Sequence, residues 1–106
     1  GGRRAKAGAR EDAMSAKAAG KRVKAYVLIE TSPGKAKAVK RALARLRGGA
    51  GATVMTLDAI TGPYDFVAVI EGTSLDAIGR LVTDGIGAID GVTRTTTCVV
   101  TPVSEG

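Results

Sequence analysis

The stretch TGPYDF, Thr61 to Phe66, holds the side chains best suited to gripping a small molecule. It lies between two strand-like runs, TVMTLDAI and DFVAVIEG, where a plain turn would reverse the chain. Tyr64 offers a hydroxyl on a flat apolar ring, and Asp65, like Asp58 on the other side of the turn, offers a carboxylate. Gly62 opens the backbone of Thr61 and its neighbours to close approach. A second group is the row Thr93, Thr95, Thr97 and Val99, which strand alternation puts on one face. An acceptor for an ammonium, with hydroxyl and backbone donors for a carboxylate, complements a zwitterion the size of an amino acid. Composition alone favours a plainer reading, a solvated Asp65 and threonines present as good strand formers.

Other chemistry is poorly served. The chain has no histidine, so the commonest general base and metal ligand are both missing. Cys98 sits in a Thr-rich run with no imidazole to activate it and reads as a small half-buried residue. RGGAGAT follows a helical pattern rather than a strand and is not followed by GK[ST], so it reads as a flexible connection and not as a phosphate loop. No catalytic residue, metal ligand set or cofactor is expected.

The elements that must position the hairpin follow a doubled pattern. VKAYVLIE reads as a strand; Thr31 or Ser32 then caps a helix with Pro33 in its first turn, and Val39, Ala42, Leu43 and Leu46 recur at helical spacing up to Gly48 and Gly49. Strands over about Thr53–Ile60 and Tyr64–Glu71 come next. Thr73 and Asp76 form a capping box ahead of a second helix whose core stripe is Leu75, Ile78, Leu81, Val82, Ile86 and Ile89, and VTRTTTCVV closes the chain as a strand. Two βαβ units joined by a tight hairpin predict an α+β, ferredoxin-like βαββαβ fold, a four-stranded antiparallel sheet with both helices on one face. The other face is not polar, since Tyr26 and Leu28 alternate with Val27 and Ile29, and Val67 and Val69 with Phe66, Ala68 and Ile70. An apolar second face predicts a homodimer packed sheet against sheet.

The net charge of +6 is unevenly placed. Residues 1–24 hold eight Lys and Arg against Glu11 and Asp12, whereas residues 25–106 are balanced. The chain divides into a basic flexible tail, residues 1–22, with a weak helix through EDAMSAKAA, and a folded domain, residues 23–106. The first helix carries Lys35, Lys37, Lys40, Arg41, Arg45 and Arg47 with no acid among them, which reads as a solvated face or as a contact with an acidic surface of another copy. No apolar run is long enough to span a bilayer and no secretory signal is visible, so a cytoplasmic protein is expected.

TGPYDF after a strand, the TSLDAIGRLV helix and the closing IDGVTRTTTCVV resemble the effector-binding domain of the Lrp/AsnC feast/famine transcriptional regulators, marked by a T-G-x-Y-D hairpin and a G-V-x-x-T-x-T strand. The resemblance covers about residues 24–103. It implies a non-enzymatic domain that dimerises through its sheet, assembles further as a ring of dimers, and binds an amino acid or related metabolite between subunits. It also implies that Thr61, Gly62, Tyr64 and Asp65 form the effector loop, with Thr95, Thr97 and Val99 on the strand approaching it, whether in the same or in a neighbouring copy. Pro63 stands where the family usually has a polar or acidic residue. The residues ahead of the first strand show no paired helical pattern of a helix-turn-helix, so direct DNA binding is not expected and a stand-alone effector domain is. Two other readings stay open: a small dimeric ferredoxin-like enzyme, and a nucleic-acid module working through the basic tail.

Overall fold

The computed structural model describes residues 22–103. The tail, apart from Arg22, and its weak helix lie outside the described residues. The elements run β1 (Val23–Thr31), α1 (Ala36–Arg45), β2 (Gly48–Gly49), β3 (Ala52–Ala59), β4 (Phe66–Gly72), α2 (Leu75–Arg80) continued by a π-helical turn (Leu81–Ile86), and β5 (Val92–Val99). They form one antiparallel sheet in the order β2-β3-β4-β1-β5. The ferredoxin-like α+β fold is therefore as expected, with a fifth, two-residue strand added.

That extra strand comes from RGGAGAT, which is an ordered hairpin rather than a flexible connection. Ala50 (φ 53°) and Gly51 (φ 95°) both take left-handed backbone, the geometry of a two-residue turn whose twist matches its strands. Gly48 is required at φ 146°, because a Cβ there would stand 2.3 Å from the carbonyl oxygen of Ala52.

Alternation in β1 and β4 divides the sheet into two faces. Ala25, Val27 and Ile29 of β1 lie opposite Ile70, Ala68 and Phe66 of β4, and all six are buried under the helices. Val39 and Leu43 of α1, Ala77 and Ile78 of α2, and Leu81, Val82 and Ile86 of the π turn complete this core. In β3 the inward residues Val54 and Leu57 are three apart, a spacing that regular alternation would send to opposite faces. A bulge between Val54 and Thr56 restores both to the helix side and leaves Met55 exposed.

Both helices begin differently from the sequence expectation. Thr31 and Ser32 do not cap α1: Thr31 ends β1 with its hydroxyl turned to Asp65, and the Ser32 N–H donates to the carbonyl of Gly91. Gly34 at φ 80° prevents helix until Lys35, whose side chain makes no cap bond. At α2 the cap is Ser74, not Thr73; its Oγ accepts from the Ala77 N–H at 3.0 Å. Leu75, expected in the core stripe, opens the first turn and is 54% exposed. After Arg80 the spacing widens, with the Gly87 N–H donating to the carbonyl of Val82 at 2.7 Å, and Gly85 makes room for Leu46, whose methyl carbons would lie 3.2 Å from a Cβ.

Candidate functional site

The β3–β4 connection is anchored from within. The Ile60 N–H donates to the carbonyl of Asp65, and the Asp65 N–H donates to the carbonyl of Ile29 on β1, continuing the sheet pattern past the end of β4. The Asp65 carboxylate then accepts twice at Oδ2, from the Thr31 N–H at 2.7 Å and from the Thr31 hydroxyl at 3.0 Å. Tyr64 reaches in the same direction. Its hydroxyl lies 2.8 Å from Oγ1 of Thr96 on β5, a bond that bridges over β1 because β1 separates β4 from β5. Tyr64 and Asp65 are half-buried, whereas Thr61, Gly62 and Pro63 are exposed. Gly62 takes φ 126°, a backbone in which side chains are strained, and a Cβ there would meet nothing within 4 Å. The result is a loop with a fixed second half and an open tip.

Of the residues singled out by sequence, Thr61, Gly62, Tyr64 and Asp65 are together in this loop. Thr95, Thr97 and Val99 share one side of β5, as alternation requires, but they pair with Ile29, Val27 and Ala25, so that side is the helix side. The β5 residue that meets the loop of the same chain is Thr96, which pairs with Leu28 and faces the open side. Thr31 and Thr96 are the partners that sequence reasoning missed. Thr31 was visible as the polar end of the first strand, though its bond to Asp65, far along the chain, left no local signal.

The open side of the sheet presents Tyr26, Leu28, Val67 and Val69 at its centre, with Thr56, Thr96 and Cys98 beside them. Leu28, Val67 and Val69 are only half-buried, Cys98 is exposed and Tyr26 is 41% exposed. Clefts of about 630, 440 and 170 Å³ lie on the helix side or around the β2 hairpin, lined by residues of α1, α2, the π turn, β2 and β3 rather than by the β3–β4 loop. Among the described residues no group of three or more His, Cys, Asp or Glu is placed to hold a metal ion, and no helix is long and apolar enough to cross a membrane.

The family model for the Lrp/AsnC ligand binding domain matches residues 24–103, which spans every strand and helix described above. The chain belongs to the Lrp/AsnC family. Among solved structures it is similar to TTHA0845 from Thermus thermophilus, at 30% identity and a TM-score of 0.66 over 79% of this chain and 99% of that one. It is also similar to Escherichia coli AsnC, at 26% identity and a TM-score of 0.59 over 79% of this chain and 55% of that one. The fold is shared with the transcriptional regulator NMB0573 of Neisseria meningitidis, solved as a complex with L-Met, at 20% identity and a TM-score of 0.61 over 76% of this chain and 50% of that one. The chain thus spans about half the length of AsnC and of NMB0573 and nearly the whole of TTHA0845. Comparison with curated protein sequences gives no match. Lrp/AsnC membership makes this a regulator-type effector-binding domain.

Proposed function

We propose that the domain acts without catalysis, as a cytoplasmic sensor that binds an amino acid or a related small metabolite through the Thr61–Asp65 loop and couples it to self-association. The observation that carries this reading is the loop itself: inside the Lrp/AsnC match, Tyr64 and Asp65 are tied to β5 and β1 while the tip from Thr61 to Pro63 stays exposed. Such an arrangement is half a pocket, pre-organised on one side and open on the other. A neighbouring copy supplies the other half, with Thr95, Thr97 and Val99 of its β5 among the approaching residues. NMB0573, bound to L-Met, supports amino acids as the ligand class. Pro63 donates no N–H at the tip, so the effector is held through Tyr64, Asp65 and the remaining backbone.

Self-association uses the open sheet face. Tyr26, Leu28, Val67 and Val69 form an apolar strip that one chain leaves half in water, and a two-fold copy covers it with the same strip. Dimers of this kind assemble further through their remaining surfaces.

The test is thermal unfolding followed by circular dichroism, with and without each common L-amino acid at millimolar concentration. A ligand at about 100 times its Kd adds roughly 2.7 kcal/mol of native stability, a rise of several degrees in Tm. No rise with any of them counts against an amino-acid effector. Light scattering on wild type and Val67→Lys checks the sheet contact: a dimer and a monomer respectively are expected, and a wild-type monomer at micromolar concentration removes it.

A further inference from the structure

Resting on the effector reading above, the inference concerns how that site meets a carboxylate. An amino acid presents two charges. Acceptors for its ammonium are plentiful at the loop end of the sheet: Asp65 in the loop, Asp58 on β3 opposite Val67, and Glu30 near the end of β1. A partner for its carboxylate is scarce. The loop holds no cation, and Pro63 gives up a backbone donor.

The other cations near the sheet are elsewhere or engaged. Lys24 lies at the far end, where it pairs in register with Glu71 and its ammonium stands 5.5 Å from the Tyr26 ring centroid. Arg22 pairs with Glu71 at 3.7 Å, Lys35 with Asp90 at 3.2 Å and Arg80 with Asp76 at 3.0 Å. Arg94 of β5 differs from all of these. It is exposed, forms no ion pair among the described residues, and stands opposite Glu30 in the β1–β5 register. Glu30, the acid best placed to neutralise it, accepts at Oε1 from the Thr93 hydroxyl at 3.1 Å instead. Arg94 also shares its face of β5 with Thr96, two residues on and so roughly 7 Å along the strand. Thr96 is where the Tyr64 hydroxyl lands, at 2.8 Å.

We infer that Arg94 is the carboxylate anchor of the effector site, its guanidinium fork holding the ligand's carboxylate beside the Tyr64–Thr96 hydroxyl pair while a carboxylate of the same end takes the ammonium. The ligand class is therefore an α-amino acid or another metabolite with a free carboxylate, and an amide or an amine of the same shape is rejected. An unpaired guanidinium suits this role because its planar donors match both carboxylate oxygens at once. Its position on an exposed face of an edge strand also lets it be replaced without disturbing the core.

The experiment compares wild type, Arg94→Gln and Arg94→Lys in thermal-shift and calorimetric titrations with the common L-amino acids, and, for the strongest stabiliser, with its carboxamide. Wild type is expected to bind the acid about ten- to a hundredfold more tightly than the amide. Arg94→Gln, with an unchanged ligand-free Tm, is expected to lose that preference, and Arg94→Lys to keep part of it. If the acid binds wild type and Arg94→Gln equally well, the effector reading stands and the anchor is wrong. If wild type binds acid and amide alike, a carboxylate anchor is excluded whatever the residue. If no amino acid stabilises wild type, the effector reading fails and this inference falls with it.

Discussion

Two hairpins in this chain reverse direction with very different means. The β2–β3 turn does it with two left-handed residues, Ala50 and Gly51, and strands of minimal length. The β3–β4 connection runs from Ile60 to Asp65 and commits a carboxylate, a tyrosine hydroxyl and two main-chain bonds to holding its second half against β1 and β5. Chain reversal alone needs the first arrangement. What the second adds is position: a fixed Tyr64 and Asp65 beside an open tip, in the part of the family match that the sequence motif marks.

Four changes break or sharpen that contrast. Asp65→Ala has the largest expected effect, since it removes both bonds to Thr31 and leaves the Thr31 N–H without its acceptor; a loss of about 2–4 kcal/mol is expected, read as a fall in the urea midpoint. A loss under about 0.5 kcal/mol is what surface substitutions give, and would show that the carboxylate is not a clamp. Gly48→Ala forces a Cβ against the Ala52 carbonyl and is expected to cost about 1–3 kcal/mol, confined to the β2 edge. Hydrogen exchange at Thr53 and Val54 checks that confinement, and loss of protection throughout β4 would contradict it.

Tyr64→Phe deletes only the bond to Thr96. About 0.5–1.5 kcal/mol should be lost by the same urea measurement, and a larger figure would mean that the ring, too, had moved. Smallest is a gain. Ala50 holds left-handed backbone that asparagine tolerates better, and Ala50→Asn creates the Asn-Gly pair that two-residue turns prefer, so a rise of about 0.5–1 kcal/mol is expected. Were Ala50→Asn to destabilise, the turn would not be the left-handed one described.

The contrast also marks where sequence reading succeeds. Alternation in VKAYVLIE and DFVAVIEG, and the helical spacing of Val39, Leu43, Ile78 and Leu81, are set by burial on one face and were legible along the chain. The helix starts were less so, because Thr31 and Ser32 look like caps until Asp65 and Gly91 take their bonds from other parts of the fold. The same holds for the site. TGPYDF was recognisable as unusual, but that Tyr64 reaches Thr96 rather than Thr95 or Thr97 depends on which side of β5 faces the open sheet, a matter of β1–β5 register with no local trace. RGGAGAT misled for a related reason: glycines that suggest flexibility here supply the left-handed geometry of an ordered turn.

The strand order has a consequence for how the protein comes into being. β1, first of the strands to leave the ribosome, ends at the middle of the sheet between β4 and β5, so neither neighbour exists until α1 and β3 have been synthesised, and one of them is the last strand of the domain to be made. Through most of the domain's translation Val27 and Ile29 have no sheet to join, and pairing them closes long loops, which slows folding relative to a chain built from local contacts. A message that ends before β5 therefore yields a sheet whose central strand has become an unguarded edge, the kind of surface that recruits chaperones or other nascent copies.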